Sequence, residues 1–100
     1  MKPNKLNQII AQYFPDYTEI NTSNPKNYFI SELHLPDGGS VSIGLDAKTR
    51  TCAEFLHFNV YGSNIRLKDS NPYNGKINVF GDGCVTKLHS YLGELKQLLS

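Results

Sequence analysis

The chain has 100 residues, of which 39% are hydrophobic and 19% charged, the balance of a folded domain rather than of a disordered segment. This length predicts a single domain over residues 1–100. The net charge of +1 excludes proteins that work through a large field of one sign, such as basic nucleic-acid coats and acidic DNA mimics. Because the apolar runs are short, we expect no membrane-spanning segment, no membrane partner and a cytoplasmic location.

Two segments carry apolar residues at helical spacing, one near each end of the chain. A stripe of Leu and Ile side chains lies within residues 4–14, and Pro15 ends this segment because proline disfavours helix at the residue before it. The segment 84–99 carries a longer stripe, which consists of Val85, Leu88, Leu92, Leu95 and Leu99. The sequence therefore predicts an N-terminal and a C-terminal amphipathic helix.

Between these segments the apolar period changes to two, which is typical of strands with one buried face. The polar stretch 21–27 predicts a loop, and five alternating runs follow, at 28–35, 40–46, 56–61, 64–68 and 76–80. A two-residue turn at Gly62-Ser63 would place 64–68 beside 56–61, and a longer loop would then place 76–80 beside 64–68. The predicted fold is α+β: an antiparallel β-meander of four to five strands, flanked by the two amphipathic helices in the order α-β-β-β-β-β-α.

Residues able to bind metals or cofactors form no recognisable grouping in the sequence. The three histidines and two cysteines lack the paired spacings of metal ligands, and Cys52 and Cys84 can form at most one disulfide. The glycine turn at 81–83 precedes a helix, as a phosphate-binding loop does, but Asp82 would repel a phosphate, so we interpret this turn as a helix cap. We therefore expect no metal and no cofactor.

Nucleophilic catalysis would require a serine or cysteine beside a histidine that is oriented by an acid. The predicted register brings Ser40 near His57 and sets His34 opposite Ser42, but neither pair has an orienting acid or an oxyanion hole. The sequence thus favours a protein that is not an enzyme. A small hydrolase that uses His57 or His34 is the least favoured interpretation.

One face of the predicted sheet combines polar, basic and aromatic side chains. In the predicted register Lys68 lies opposite both His57 and Lys76, an unfavourable pairing of like charges that an anionic partner would stabilise. Tyr61 and Phe80 add surface for stacking. A solvated face, with lysine side chains extended into water, is the simpler alternative. The candidate partner-binding residues are His57, Asn59, Tyr61, Arg66, Lys68, Lys76, Asn78 and Phe80.

A small chain with an open, partly apolar and partly basic sheet and no catalytic grouping is typical of an interaction protein. We hypothesise that it binds a macromolecular partner stoichiometrically, as an inhibitor or an immunity protein does, for example one carried by a phage or plasmid. The expected partner is a protein with an acidic surface. Single-stranded nucleic acid is the alternative on the same face. A homodimer through Ile30 and Phe55 is compatible with either interpretation.

Overall fold

Two helices and an antiparallel sheet make up the described part of the chain, which confirms the predicted α+β class. The computed structural model describes residues 3–15, 21–24, 28–46 and 54–100, with side chains for residues 6–15, 32–45 and 54–100. The elements are, in chain order, α1 (Pro3–Tyr13), β1 (Asn21–Asn24), β2 (Tyr28–His34), β3 (Ser40–Asp46), β4 (Phe55–Tyr61), β5 (Asn78–Phe80) and α2 (Cys84–Leu99).

The strands lie in the order β1-β2-β3-β4-β5, and each pairs antiparallel with its neighbour. A strand directs successive side chains to opposite faces, so the apolar residues that alternate along β3 and β4 share the face that the helices cover. Both helices pack on the same face of the sheet, α1 against β2 and α2 against β4 and β5. The strand residues buried beneath them are Leu33, Val41, Ile43, Leu45, Leu56, Phe58 and Val60.

The two helices also contact each other through polar and aromatic groups. The Tyr13 hydroxyl and His89 Nδ1 lie 2.8 Å apart, and the two rings meet edge to face. The Tyr13 ring also lies close to Gly93 of α2, since a Cβ atom there would be in van der Waals contact with it at 3.7 Å. The helices therefore form one layer over the sheet, and the opposite face of the sheet is not covered by either of them.

The prediction of a strand at 64–68 is wrong, because this segment leaves the sheet after β4. Gly62, with a φ of 66°, turns the chain away. The amide of Ile65 donates to Ser63 Oγ at 3.0 Å, and the Arg66 guanidinium donates to the carbonyl oxygens of Ser63 and Ile65. Side chains thus satisfy backbone groups that a strand partner would otherwise bond.

The place beside β4 is taken instead by residues 75–80. Ile77 exchanges two backbone hydrogen bonds with Phe58, at 2.9 and 3.2 Å, and the amide of Val60 donates to the carbonyl of Gly75. Gly75 has a φ of 71°, and a Cβ atom there would lie 2.3 Å from the Val60 carbonyl oxygen. Only glycine allows the chain to enter the sheet at this point.

The prediction of a loop at 21–27 is also wrong in its first half. Residues Asn21–Asn24 form β1, which pairs with β2 at the edge of the sheet. The sequence Asn-Thr-Ser-Asn has no apolar alternation. β1 pairs with β2 through backbone groups, which require no particular side chains, so the sequence carries no signal of this strand.

The carboxylate of Asp37 joins two turns that are far apart in sequence. It accepts hydrogen bonds from the Ser63 hydroxyl at 2.6 Å, from the amide of Asn64 at 3.1 Å and from the amide of Gly39 at 3.0 Å. These bonds favour the charged form, and the Ser63 hydroxyl contributes most to a lowered pKa of Asp37. The turn between β2 and β3 is thereby held against the turn that follows β4.

Neither α1 nor α2, the helices of the described residues, has the length and apolar character needed to cross a lipid bilayer.

Replacing Leu88 with alanine should lower the free energy of unfolding by about 2–5 kcal/mol, because this fully buried side chain of α2 would leave a cavity in the core. Leu98, on the same helix, is half exposed and provides the matched control. Leu98→Ala should change the same quantity by no more than about 0.5 kcal/mol. Urea denaturation followed by circular dichroism measures both. Equal losses for the two variants would contradict the placement of α2.

Candidate binding surface on the helix-free face

The face of the sheet opposite the two helices, here called the helix-free face, consists of the strand residues that alternate with the core. The described side chains on it are polar or aromatic, apart from one glycine. They are Glu32, His34, Ser40, Ser42, Gly44, Phe55, His57, Asn59, Tyr61, Asn78 and Phe80.

The structure brings together most of the predicted partner-binding residues. The five that lie on this face are His57, Asn59, Tyr61, Asn78 and Phe80. Lys76 precedes β5, and the pairing continues in the same register to Gly75, so Lys76 is aligned with Asn59 on this face. The backbone alternation within β4 and β5 is sufficient to place these residues together.

Arg66 and Lys68 lie elsewhere, so the predicted opposition of Lys68 to His57 and Lys76 is wrong. The backbone amide of Lys68 donates to Glu94 Oε2 at 2.7 Å, which fixes this residue next to α2. β3 occupies one edge of β4 and residues 75–80 occupy the other. Residues 62–74 therefore run outside the sheet and reach the helices. A continuous row of basic side chains is therefore not formed on the helix-free face.

A second hydrogen bond holds residues 62–74, the connection between β4 and β5, against α2. The Tyr91 hydroxyl donates to Asp69 Oδ2 at 2.9 Å. Burial, together with this bond to a carboxylate, raises the pKa of Tyr91 to about 12. The phenol therefore remains protonated and acts as a donor at neutral pH.

A stacked aromatic pair lies at one end of the helix-free face. The rings of Phe55 and Phe80 are 4.6 Å apart with an angle of 17° between their planes. Phe80 is 73% exposed and Tyr61, at the other end of β4, is 46% exposed. Burying the Phe80 ring against another surface would remove apolar area from water, which is a favourable change.

His57 lies at the centre of the face and is buried although no described helix covers it. Its ring occupies the space above Gly44 on the neighbouring strand: a Cβ atom at Gly44 would stand 2.2 Å from His57 Cε1. Phe55 meets the same ring edge to face. Burial lowers the pKa of His57, so the imidazole is neutral at neutral pH.

A polar cluster lies at the β2–β3–β4 end of the same face. The observed register sets His34 opposite Ser40 and Ser40 opposite Tyr61, which overturns the predicted proximity of Ser40 to His57 and of His34 to Ser42. The Tyr61 hydroxyl interacts with Glu32 and Ser40, and its pKa is raised by burial and by Glu32.

This cluster offers little to a nucleophilic mechanism. Ser40 Oγ and His34 Nδ1 are 3.5 Å apart, the long limit of a hydrogen bond, whereas an activated serine needs a close contact with its base. The Tyr61 hydroxyl also contacts Ser40, so the serine is engaged by a second group. Ser40, His34 and Tyr61 thus form a cluster of side-chain hydrogen bonds on the helix-free face.

The remaining candidate groups of the chain are the metal-binding side chains and the cysteines. Within the ranges that the structure describes, no group of three or more His, Cys, Asp or Glu side chains converges on a point. Cys84 is a buried, free thiol that contacts the carbonyl oxygens of Val79 and Gly81, and burial raises its pKa. Cys52 and the side chain of Ile30, part of the predicted dimer contact, lie outside the described residues.

No protein-family model, curated protein or solved structure matches the chain. What the protein does is therefore inferred from the helix-free face itself.

Gly44→Ala should destabilise the protein by about 1–3 kcal/mol, because the added methyl group would overlap the His57 ring. The loss should be smaller when His57 is already alanine, with a coupling energy of about 0.5–3 kcal/mol between the two positions. Ser42→Ala, on the same strand and face, is the control and should stay within about 0.5 kcal/mol. Additive effects of Gly44→Ala and His57→Ala in urea denaturation would contradict the packing.

Acid should destabilise the native protein in part through His57. Its native pKa is lowered by burial, so below the ordinary value of 6.5 the unfolded chain binds the proton more readily. Stability carried by this residue is therefore full above 6.5 and falls as the pH drops toward the native pKa. Unfolding free energies at neutral and mildly acidic pH should differ less for His57→Gln than for the wild type. The same pH dependence in both proteins would overturn this assignment.

Proposed function

We propose that the protein acts without catalysis, by stoichiometric binding of a protein partner on the helix-free face. The observation that supports this proposal is the exposure of Phe80, 73% of whose surface remains in solvent while its ring stacks on Phe55. Aromatic side chains dominate the energetics of protein interfaces when they enter a pocket of the partner. Phe80 is the anchor that such an interface requires.

The surroundings of Phe80 match the composition of an interface. Asn78 supplies an exposed amide group able to donate and accept hydrogen bonds, and Tyr61 supplies a second exposed aromatic ring. β2, β3 and β4 each lie between two other strands, and β5 is held by β4 and α2. The backbone of this face is therefore already ordered, and little of its conformational entropy is lost when a partner binds. An apolar anchor within a hydrogen-bonding surround is the usual anatomy of a specific contact.

The charge on this face indicates the chemistry of the partner. Apart from the histidines, the acidic and basic residues among its described side chains are Glu32 and, at the continuation of β5, Lys76, which have opposite signs. A strongly charged partner would gain little here. The partner surface that complements the helix-free face is apolar and able to form hydrogen bonds. An acidic patch on that partner would find Lys76 as its one basic contact among the described strand residues of this face.

A binding protein of this size fits the inhibitor or immunity type, in which one small chain occupies one partner. The interface of a standard protein complex covers about 800 Å² on each side. One face of a small sheet is of that order. We therefore propose an inhibitor or immunity protein that works in the cytoplasm, such as an accessory protein carried by a phage or plasmid.

Single-stranded nucleic acid is the second candidate, and the structure gives it less support than the sequence does. Such binding combines a positive groove with stacking aromatic rings. The Arg66 guanidinium is held by the carbonyl oxygens of Ser63 and Ile65, and Lys68 lies next to α2, so neither basic residue belongs to the strands that carry Phe80 and Tyr61.

Phe80→Ala should weaken partner binding at least tenfold while leaving the fold intact, since the removed ring is largely exposed. The tagged protein would capture its partner from a native lysate of cells that make it, in the presence of nucleases. The affinity of the captured partner is then measured for each purified variant by calorimetry. Tyr61→Ala should weaken binding by a smaller factor.

Tyr73→Ala is the matched control, because Tyr73 is 95% exposed yet belongs to the 62–74 connection rather than to the helix-free face. It should bind as the wild type does. Equal affinities of the Phe80→Ala and Tyr73→Ala variants would refute the proposed site. Binding of oligonucleotides that weakens steeply with added salt, without a protein partner, would establish the second candidate.

A further inference from the structure

The dipeptide Asn74-Gly75 ends the connection that leads into β5, and it is the single Asn-Gly pair of the sequence. Asparagine followed by glycine loses its side-chain amide readily, because glycine has no side chain to shield its backbone nitrogen. The exposed asparagines nearby lack this property. Asn71 precedes a proline, which has no N–H group, and Asn78 precedes the β-branched Val79.

Loss of the amide uses the backbone nitrogen of Gly75 as the nucleophile. The nitrogen gives up its proton and attacks Cγ of Asn74, which closes a cyclic imide. The bond between Cγ and Nδ2 breaks, and ammonia leaves with the proton. Water then opens the imide at either carbonyl group. One opening leaves aspartate at position 74, and the other leaves isoaspartate, in which the main chain runs through the side-chain carbonyl and is longer by a methylene group.

In the folded chain both reacting groups are engaged in hydrogen bonds. The N–H group of Gly75 donates to the carbonyl oxygen of Asn71 at 2.8 Å, so the nitrogen is not free to lose its proton. Asn74 Oδ1 accepts from the amide of Lys76 at 3.0 Å, which fixes the side chain that carries Cγ. The amide of Asn71 donates to the carbonyl of Lys76, also at 3.0 Å, and closes the loop. Asn74 is therefore exposed to water but held apart from its own reaction.

We propose that Asn74-Gly75 is a site of spontaneous deamidation that the native fold protects and that reacts with water when residues 71–76 open. A reaction that proceeds through an open state has a rate set by the population of that state. Deamidation at position 74 thus records the time that a chain spends outside its native structure.

The two products differ in their ability to fold again. Aspartate at position 74 retains an acceptor oxygen for the amide of Lys76. Isoaspartate adds a methylene group to the main chain immediately before Gly75. At Gly75 the backbone approaches the Val60 carbonyl so closely that a Cβ atom would stand 2.3 Å from its oxygen. A lengthened chain does not satisfy this approach and the loop bonds together, so the isoaspartate product should be destabilised.

Purified protein alone tests the protection of the site. The protein is incubated at mildly alkaline pH in buffer and in concentrated guanidinium chloride. Trypsin then separates residues 69–76 from residues 77–87, so that Asn74 and Asn78 lie in different peptides. Mass spectrometry should show conversion of amide to acid in the first peptide at least about tenfold faster in guanidinium chloride than in buffer. The second peptide should stay unchanged. Equal rates in the two solutions, or no conversion in guanidinium chloride, would overturn the proposal.

A pair of variants links the rate to the loop. Asn71→Ala removes the bond from the Tyr73 amide to Asn71 Oδ1, at 2.8 Å, and leaves the reacting residues unchanged. It should accelerate deamidation in buffer about twofold to tenfold, the effect of one lost hydrogen bond, without changing the rate in guanidinium chloride. Tyr73→Ala is the matched control, because this side chain is 95% exposed, and its ratio of the two rates should equal that of the wild type. The same ratio in Asn71→Ala would contradict protection by the loop.

The products are compared after return from guanidinium chloride to buffer. Asn74→Asp reproduces the aspartate product and should resist thermolysin as the wild type does. The isoaspartate chains, separated by chromatography, should be cleaved at least about tenfold faster, because they open more often. Equal resistance of isoaspartate chains and Asn74→Asp would overturn the assigned role of Gly75. None of these measurements involves a partner, so failure to capture one in the earlier experiment would leave them unchanged.

Discussion

The contact between Gly75 and the carbonyl of Val60 determines which segment lies beside β4. A side chain at position 75 would collide with that oxygen, and the positive φ of the residue also requires glycine. Once Gly75 is in place, Ile77 reaches the core opposite Phe58, and Asn78 and Phe80 fall on the helix-free face. The residues between Tyr61 and Gly75 must then run outside the sheet.

Residues 62–74, which connect β4 to β5 outside the sheet, contribute to the stability of the helix layer. Lys68 bonds to Glu94 through its amide, and Tyr91 bonds to Asp69, so the connection is attached to α2 at two points. Leu67 is buried in the core although it belongs to no strand. Residues 62–74 thus cover part of the hydrophobic core between the sheet and α2.

The sequence predicts burial well and hydrogen-bond partners poorly. Apolar spacing identifies both helices and four of the five paired strands, because burial imposes a period on nearby residues. The same period is present at Ile65 and Leu67, where Leu67 is buried without a strand around it. Alternation reports which side chain is inside. It does not report which backbone lies alongside.

On the helix-free face, too, local alternation predicts the residues that share one strand but not those whose position depends on strand pairing. His57, Asn59 and Tyr61 share a face because they alternate within one strand, and the sequence alone places them together. The positions of Arg66 and Lys68 depend on a long-range choice of partner for β4, and no local pattern encodes that choice.

The contact of His57 with Gly44 was not predicted either. A glycine inside a strand is a recognised sign that another group approaches closely. That sign is present in the sequence of β3, but it does not name the residue that fills the space.

The carboxylate of Asp37 has a consequence for how the assembly of the chain can be followed. Its bonds to Ser63 and Asn64 span 26 and 27 positions and require that β3 and β4 have already come together. A long-range closure of this kind is among the slow events of folding. Because these bonds lower the pKa of Asp37, the ionisation of its carboxyl group indicates whether they have formed. The carboxyl resonance distinguishes a chain that has closed this loop from one that holds only its local hairpin.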